Sequence, residues 1–143
     1  MRTEKGVILA VWKNSNRNPR FLVLKRKKNW EGWELVKGHL EGEEEETAMT
    51  ELEEEAGIGE DQVEELKDLD STVEWSFEDD GEKVKREYRA FMARVEEDAV
   101  PDVDGNPHDE HEKALFLSYE DASALLTYED QDEILEEVRE RID

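Results

Sequence analysis

The chain has 143 residues, with 42 Asp and Glu against 19 Lys and Arg, a formal net charge of −23, and no cysteine. That length fits one domain, residues 1–143, with a core of its own, and the lack of cysteine excludes disulfides, thiolate metal sites and cysteine nucleophiles. The acidity excludes long nucleic acids and anionic membranes as partners, while four Trp, four Phe and three Tyr with only three Pro argue against a disordered acidic chain.

Residues 6–12 (Gly-Val-Ile-Leu-Ala-Val-Trp) read as a strand buried on both faces. Seven residues are too few to cross a bilayer, and Lys13-Asn14 follows without a cleavage site, so a cytoplasmic location is expected. Residues 13–20 hold Asn, Ser and Pro and read as a loop. Residues 21–24 form a second buried strand, closed by the basic run Lys25-Arg-Lys-Lys28, which is unusual in so acidic a chain. Residues 33–36 read as a short extended piece. Residues 44–56 read as a helix: Ala48, Leu52 and Ala56 fall at i, i+4, i+8, Met49 widens the stripe, and Gly57 caps the end. Residues 63–77 hold one or two strands, Asp79-Asp80-Gly81 turns, and residues 83–95 form a long strand carrying Lys83, Lys85, Arg86 and Arg89. Residues 96–108 are a loop and 113–117 a strand. Two helices close the chain at 119–126 and 129–142. The order β-β-α-β-β-β-α-α predicts an α/β fold, a mixed sheet with helices packed on its faces.

Glu51, Glu54 and Glu55 fall at i, i+3, i+4, which places three carboxylates on one helical face. Such like-charge neighbours oppose helix formation, and a divalent metal would offset the repulsion. Hard oxygen donors suit Mg²⁺, with Mn²⁺ as the alternative. Eight of the thirteen residues from Glu43 to Glu55 are Glu, so the same pattern also describes a solvated acidic face.

The surrounding residues favour the metal. The segment Gly38 to Ile58 resembles the Nudix box, G-x5-E-x7-R-E-U-x-E-E-x-G-U with U aliphatic. Its second half, Glu51-Leu-Glu-Glu-Glu-Ala-Gly-Ile58, matches every fixed position. Upstream, Gly32-Trp33-Glu34-Leu35-Val36-Lys37-Gly38-His39 looks like the family's G-x-W-x-x-P-K-G-H, with Val36 in place of Pro. Downstream, Glu110-His111 and Phe116-Leu-Ser-Tyr-Glu-Asp-Ala122 are similar to the ending of the dinucleoside tetraphosphate hydrolase branch. The chain departs from the pattern in two ways. The box is two residues short, with Glu43, or nearly as well Glu44, aligned to the isolated Glu, and Thr50 stands where the family has Arg, which normally pairs with a box carboxylate.

The resemblance implies a Nudix-type α/β/α sandwich around a mixed sheet and Mg²⁺-dependent hydrolysis of a nucleoside diphosphate linked to another group. A dinucleoside tetraphosphate, cleaved to a triphosphate and a monophosphate, is the leading substrate. It implies Glu54 and Glu55 as metal ligands, with the carbonyl of Gly38. Glu51 is a further ligand or the general base, Glu110 approaches from across the cleft, and Lys37 neutralises phosphate. His39 and His111 are candidate phosphate contacts. Trp30, Trp75, Tyr88 and Phe91 are candidates to stack on a base, with Tyr88 first because it lies in a basic strand. The expected partner is a small nucleotide and the expected state a monomer or homodimer. The rivals are another nucleotide substrate (an oxidised nucleoside triphosphate, ADP-ribose or a 5′-triphosphate RNA end), a nucleotide-sensing domain without catalysis, and an acidic interaction protein. The acidity itself is consistent with a halophilic, high-salt habitat.

Overall fold

The computed structural model describes residues 1–142. Seven strands and three helices follow in the order β1 (Arg2–Ser15), β2 (Asn18–Arg26), β3 (Gly32–Glu34), β4 (Val36–His39), α1 (Glu44–Ala56), β5 (Val63–Asp79), β6 (Glu82–Val95), β7 (His111–Leu117), α2 (Tyr119–Leu125) and α3 (Glu129–Ile142). The three helices stand within a residue of their expected positions. The strands run longer than expected, because polar ends such as Arg2–Lys5 continue the ladder beyond the apolar runs. The extended piece at 33–36 divides into β3 and β4, two short strands with different partners. The segment 63–77 is one strand with an irregularity between Asp68 and Thr72, where Asp70 takes a positive φ and Arg89 pairs with both Asp68 and Asp70.

β1 is the axis of the sheet. It pairs in parallel with β6 along one edge. Its other edge is shared by β4, at Gly6–Leu9, and by β2, at Trp12–Ser15, both antiparallel. β2 in turn pairs with β3 and β7, and β5 closes the far side on β6.

Side chains of a strand alternate between faces, so the continuous apolar run of β1 feeds two cores. Val7, Leu9 and Val11 pack with Ala48, Leu52 and Ala56 of α1. Ile8, Ala10 and Trp12 pack on the opposite face with Ala122 of α2 and Ile134, Leu135 and Val138 of α3. The result is an α/β/α sandwich around a mixed sheet, as the sequence predicts. Each fully buried Leu, Ile or Val in these layers contributes roughly 1.5–3 kcal/mol. No helix among the described residues is long and apolar enough to cross a membrane.

Candidate active site

α1 lies over β4, and the site forms where they meet. The helix starts without a side-chain cap from Glu43. Thr47 ties down the shortened approach instead: its hydroxyl accepts from the amide of Glu41 and reaches the carbonyls of Glu41 and Glu43 at 2.7 and 2.9 Å. Gly57 ends the helix in the left-handed region, where an L side chain would be strained.

The apolar stripe of α1 carries one carboxylate inward with it. Glu55 is only 5% exposed, and its Oε1 accepts the amide of Lys37 at 3.0 Å. Glu51, one turn earlier, lies directly against Gly38, where an added Cβ would collide with its carboxyl group. This close approach requires glycine at position 38. Glu54 is half-buried beside them, and Glu110 comes in from the segment before β7.

A fifth carboxylate, Glu34 at the end of β3, has no exposed surface. Its Oε2 receives His111 Nε2 at 2.7 Å and Arg26 Nη1 at 3.1 Å, and Lys37 Nζ lies 3.4 Å from Oε1. Burial would raise its pKa, but the hydrogen bond from His111 and the charges of Lys37 and Arg26 outweigh it and hold Glu34 below the ordinary carboxylate range. Glu55 is the opposite case: burial, then the charge of Glu34, push its pKa well up. Glu51 is raised to about 7 by burial and by the charges of Glu54 and Glu110. The cluster is therefore ionised at Glu34 and short of positive charge at Glu51 and Glu55.

That shortage is what a divalent cation would relieve. The oxygen donors are hard, and a ring nitrogen of His111 joins oxygens of Glu55 and Glu110 within 4.8 Å of one another. Nδ1 of His111 is buried and has no partner among the described residues. By donor chemistry the residues fit a divalent metal.

Beside the cluster lies a pocket of about 370 Å³, with Lys37 on its wall. Trp30, Trp75, Phe77 and Tyr128 supply aromatic surface to it, and Arg86 supplies a second cation. A volume in the range of small-molecule sites, apolar with a few charged groups, suits an aromatic heterocycle bearing phosphate.

The structure brings Gly38, Glu51, Glu54, Glu55, Glu110 and Lys37 together. His39 is exposed on β4, with Nδ1 3.3 Å from the Tyr88 hydroxyl. Two candidate ligand contacts, His111 for phosphate and Tyr88 for a base, are buried. His111 is 1% exposed and is held by Glu34. Tyr88 is 2% exposed, because it stands opposite Gly6 in the β1–β6 ladder and its ring fills the space a side chain there would take. Trp75 covers it at 4.9 Å and faces the pocket in its place. Phe91 is core.

The NUDIX domain profile matches residues 3–138. The chain belongs to the Nudix family. Nudix structures of similar shape include an Ap4A hydrolase of C. elegans, at 20% identity over 97% of each chain with a TM-score of 0.76. A putative NUDIX hydrolase of Listeria monocytogenes is similar at 27% identity over 96% of this chain and 92% of that one, TM-score 0.75. The NUDIX domain of Shewanella oneidensis NrtR, complexed with ADP ribose, is similar at 14% identity over 100% and 90%, TM-score 0.77. No curated protein matches the chain. Arg26 and Glu34 in the cluster, which lie outside the Nudix box, and Phe77 and Tyr128 in the pocket are site residues that the sequence reading does not single out. The basic run at 25–28 contains Arg26, and Glu34 occupies an unspecified position of the Gly32–His39 motif.

Proposed function

We propose that this Nudix pyrophosphohydrolase acts on a nucleoside diphosphate linked to a second group, with a dinucleoside tetraphosphate as first substrate, Mg²⁺ as its metal and residues 1–143 as one catalytic domain. The observation that carries the reading is the convergence of Glu51 on Gly38, of Glu55 on the Lys37 amide, and of Glu55 with Glu110 and His111, beside an aromatic pocket that Lys37 lines. Similarity of fold to an Ap4A hydrolase supports the choice of first substrate.

Glu55, Glu54 and Glu110 would hold the metal, with the Gly38 carbonyl and with Glu51 as a further ligand or as the general base. When bound, it supplies Lewis acidity toward phosphoryl oxygens and lowers the pKa of a water. The rest falls to side chains. Trp30 and Trp75 hold the base by stacking. Lys37 Nζ, on the wall between pocket and carboxylates, neutralises the phosphate that enters the cluster. Where Glu51 does not serve as a ligand, it lies against Gly38 beside the other carboxylates and accepts a proton from water as the general base. The water oxygen bonds to phosphorus, the bridging P–O bond breaks, and the triphosphate leaves from the monophosphate.

The test is turnover of diadenosine tetraphosphate with Mg²⁺ in molar KCl, beside ADP-ribose and an oxidised nucleoside triphosphate, with Glu55→Gln as control. ATP and AMP from wild type, and neither from the variant, is the expected result. One observation favours a second reading, nucleotide binding without turnover: Thr50 is exposed on α1 and gives the carboxylates no charge. Tight nucleotide binding by folded wild type with no products from any substrate would put that reading first.

A further inference from the structure

The basic run at the end of β2 grips the segment that delivers Glu110. Lys25 Nζ pairs with Glu112 at 3.0 Å and Lys27 Nζ with Asp109 at 2.9 Å, while Lys28 Nζ donates to the carbonyl of His108 at 3.2 Å. The amides of Lys27 and Lys28 both donate to the carbonyl of Glu110, at 2.9 and 3.4 Å. The β2–β7 ladder is irregular at this point, pairing Lys25 with Lys113 and Arg26 with His111, so Glu112 is skipped.

The contacts are unequal. The lysine pairs are at the surface, where solvent screens them and side-chain entropy opposes them. Arg26 is different, at 9% exposure. Its Nη1 lies 3.1 Å from Oε2 of Glu34 and 3.1 Å from Oε2 of Glu110. Its Nε donates to the carbonyl of Lys28 at 2.9 Å, and its guanidinium stands 5.5 Å from the ring centroid of Trp30, a wall of the pocket. The planar guanidinium fork is held at Nη1, which makes both carboxylate contacts, and at Nε on the Lys28 carbonyl, and this sets one orientation for the carboxylates it touches. Glu34 anchors that fork from the buried side and is itself held by His111 and Lys37.

Resting on the metal-dependent reading above, we infer that Arg26 is the positioning residue of this site: its guanidinium bridges Glu34 and Glu110, holds Glu110 toward Glu55, and supplies from β2 the fixed positive charge that Thr50 does not supply from α1. Arg26 acts through Glu110 and is not itself a ligand. The arrangement also joins the two halves of the site, because the same guanidinium stands beside Trp30.

Mn²⁺ titration followed by electron paramagnetic resonance of the free ion reads this directly, without turnover. In the full chain at molar KCl, Arg26→Gln is expected to weaken Mn²⁺ binding by at least about tenfold, the scale of losing a partner that orients a metal ligand. Arg26→Lys, which keeps the charge and loses the fork, is expected to bind several-fold more weakly than wild type. Circular-dichroism melts of the same samples establish that each variant is folded during the titration. A residue that only stabilises the fold would lower the melting temperature and leave Mn²⁺ affinity unchanged, and that result overturns the inference. Should Arg26→Gln not fold, Arg26→Lys decides, and wild-type affinity in it overturns the inference equally. Wild type that takes up no Mn²⁺ overturns both the inference and the metal-dependent reading beneath it, whereas wild-type uptake unchanged in the variant overturns the inference alone.

Discussion

Glu51→Gln in the metal-free protein should raise stability at alkaline pH and leave it nearly unchanged in acid. Glu51 is forced to carry its charge against burial and the neighbouring Glu54 and Glu110, so its pKa rises from the ordinary 4.5 to about 7. Below 4.5 the folded and unfolded states both hold the proton, and the residue has no effect on stability. Between 4.5 and about 7 the folded state keeps the proton that the unfolded state has lost, so stability falls as pH rises. Above about 7 both are ionised and the full penalty stands. At about 1.4 kcal/mol per pH unit the ceiling is about 3.5 kcal/mol. Glu51 is only half-buried, and solvent screening cuts that to about 1.5 kcal/mol. Gln has nearly the same shape and never ionises. With an unfolding entropy of about 0.3 kcal/mol per kelvin for a chain this size, the gain is about 5 °C in Tm at about pH 8 and close to zero at about pH 5. Paired circular-dichroism melts of wild type and variant, in EDTA and molar KCl, measure the difference. Equal Tm values at alkaline pH, or the same shift at both pH values, would refute the electrostatic account of Glu51.

Gly38→Ala should cut turnover about a hundredfold or more and cost about 1–3 kcal/mol, because its Cβ occupies the place of the Glu51 carboxyl group; steady-state kinetics and urea unfolding check the two effects separately. The net charge of −23 predicts a higher Tm in 1 M than in 0.1 M KCl, since screening shortens from about 10 Å to about 3 Å. A melt unchanged between those salts would remove self-repulsion as a factor.

What the sequence made readable was local. The periodicity of Ala48, Leu52 and Ala56 with Gly57 after it placed α1, and the spacing of Glu51, Glu54 and Glu55 put the carboxylates on it. What it hid depends on register between distant strands. Arg26 and Glu34 are eight residues apart, but only the β2–β7 ladder sets Arg26 opposite His111 and so beside Glu110. Tyr88 and Trp75 are both aromatic residues in amphipathic strands. Which one faces the pocket depends on Gly6, eighty-two residues before Tyr88 and opposite it in the sheet. The division of residues 33–36 into two strands follows from partner choice, since β3 joins β2 and β4 joins β1. A few residues of extended pattern carry no record of that choice.

The long segment between β6 and β7 is fastened at its middle as well as at its end. The amide of Asp102 donates to the carbonyl of Ala56, the last residue of α1, at 2.7 Å, and the backbone of Asp102 crowds Gly57. A stretch secured to the helix terminus at one point and to β2 at another belongs to the frame of the molecule and is not a lid. Its amide protons at the anchored points should exchange with solvent no faster than those of the helix they terminate. On the reading proposed above, a nucleotide that enters by the aromatic pocket does not wait for this segment to swing aside.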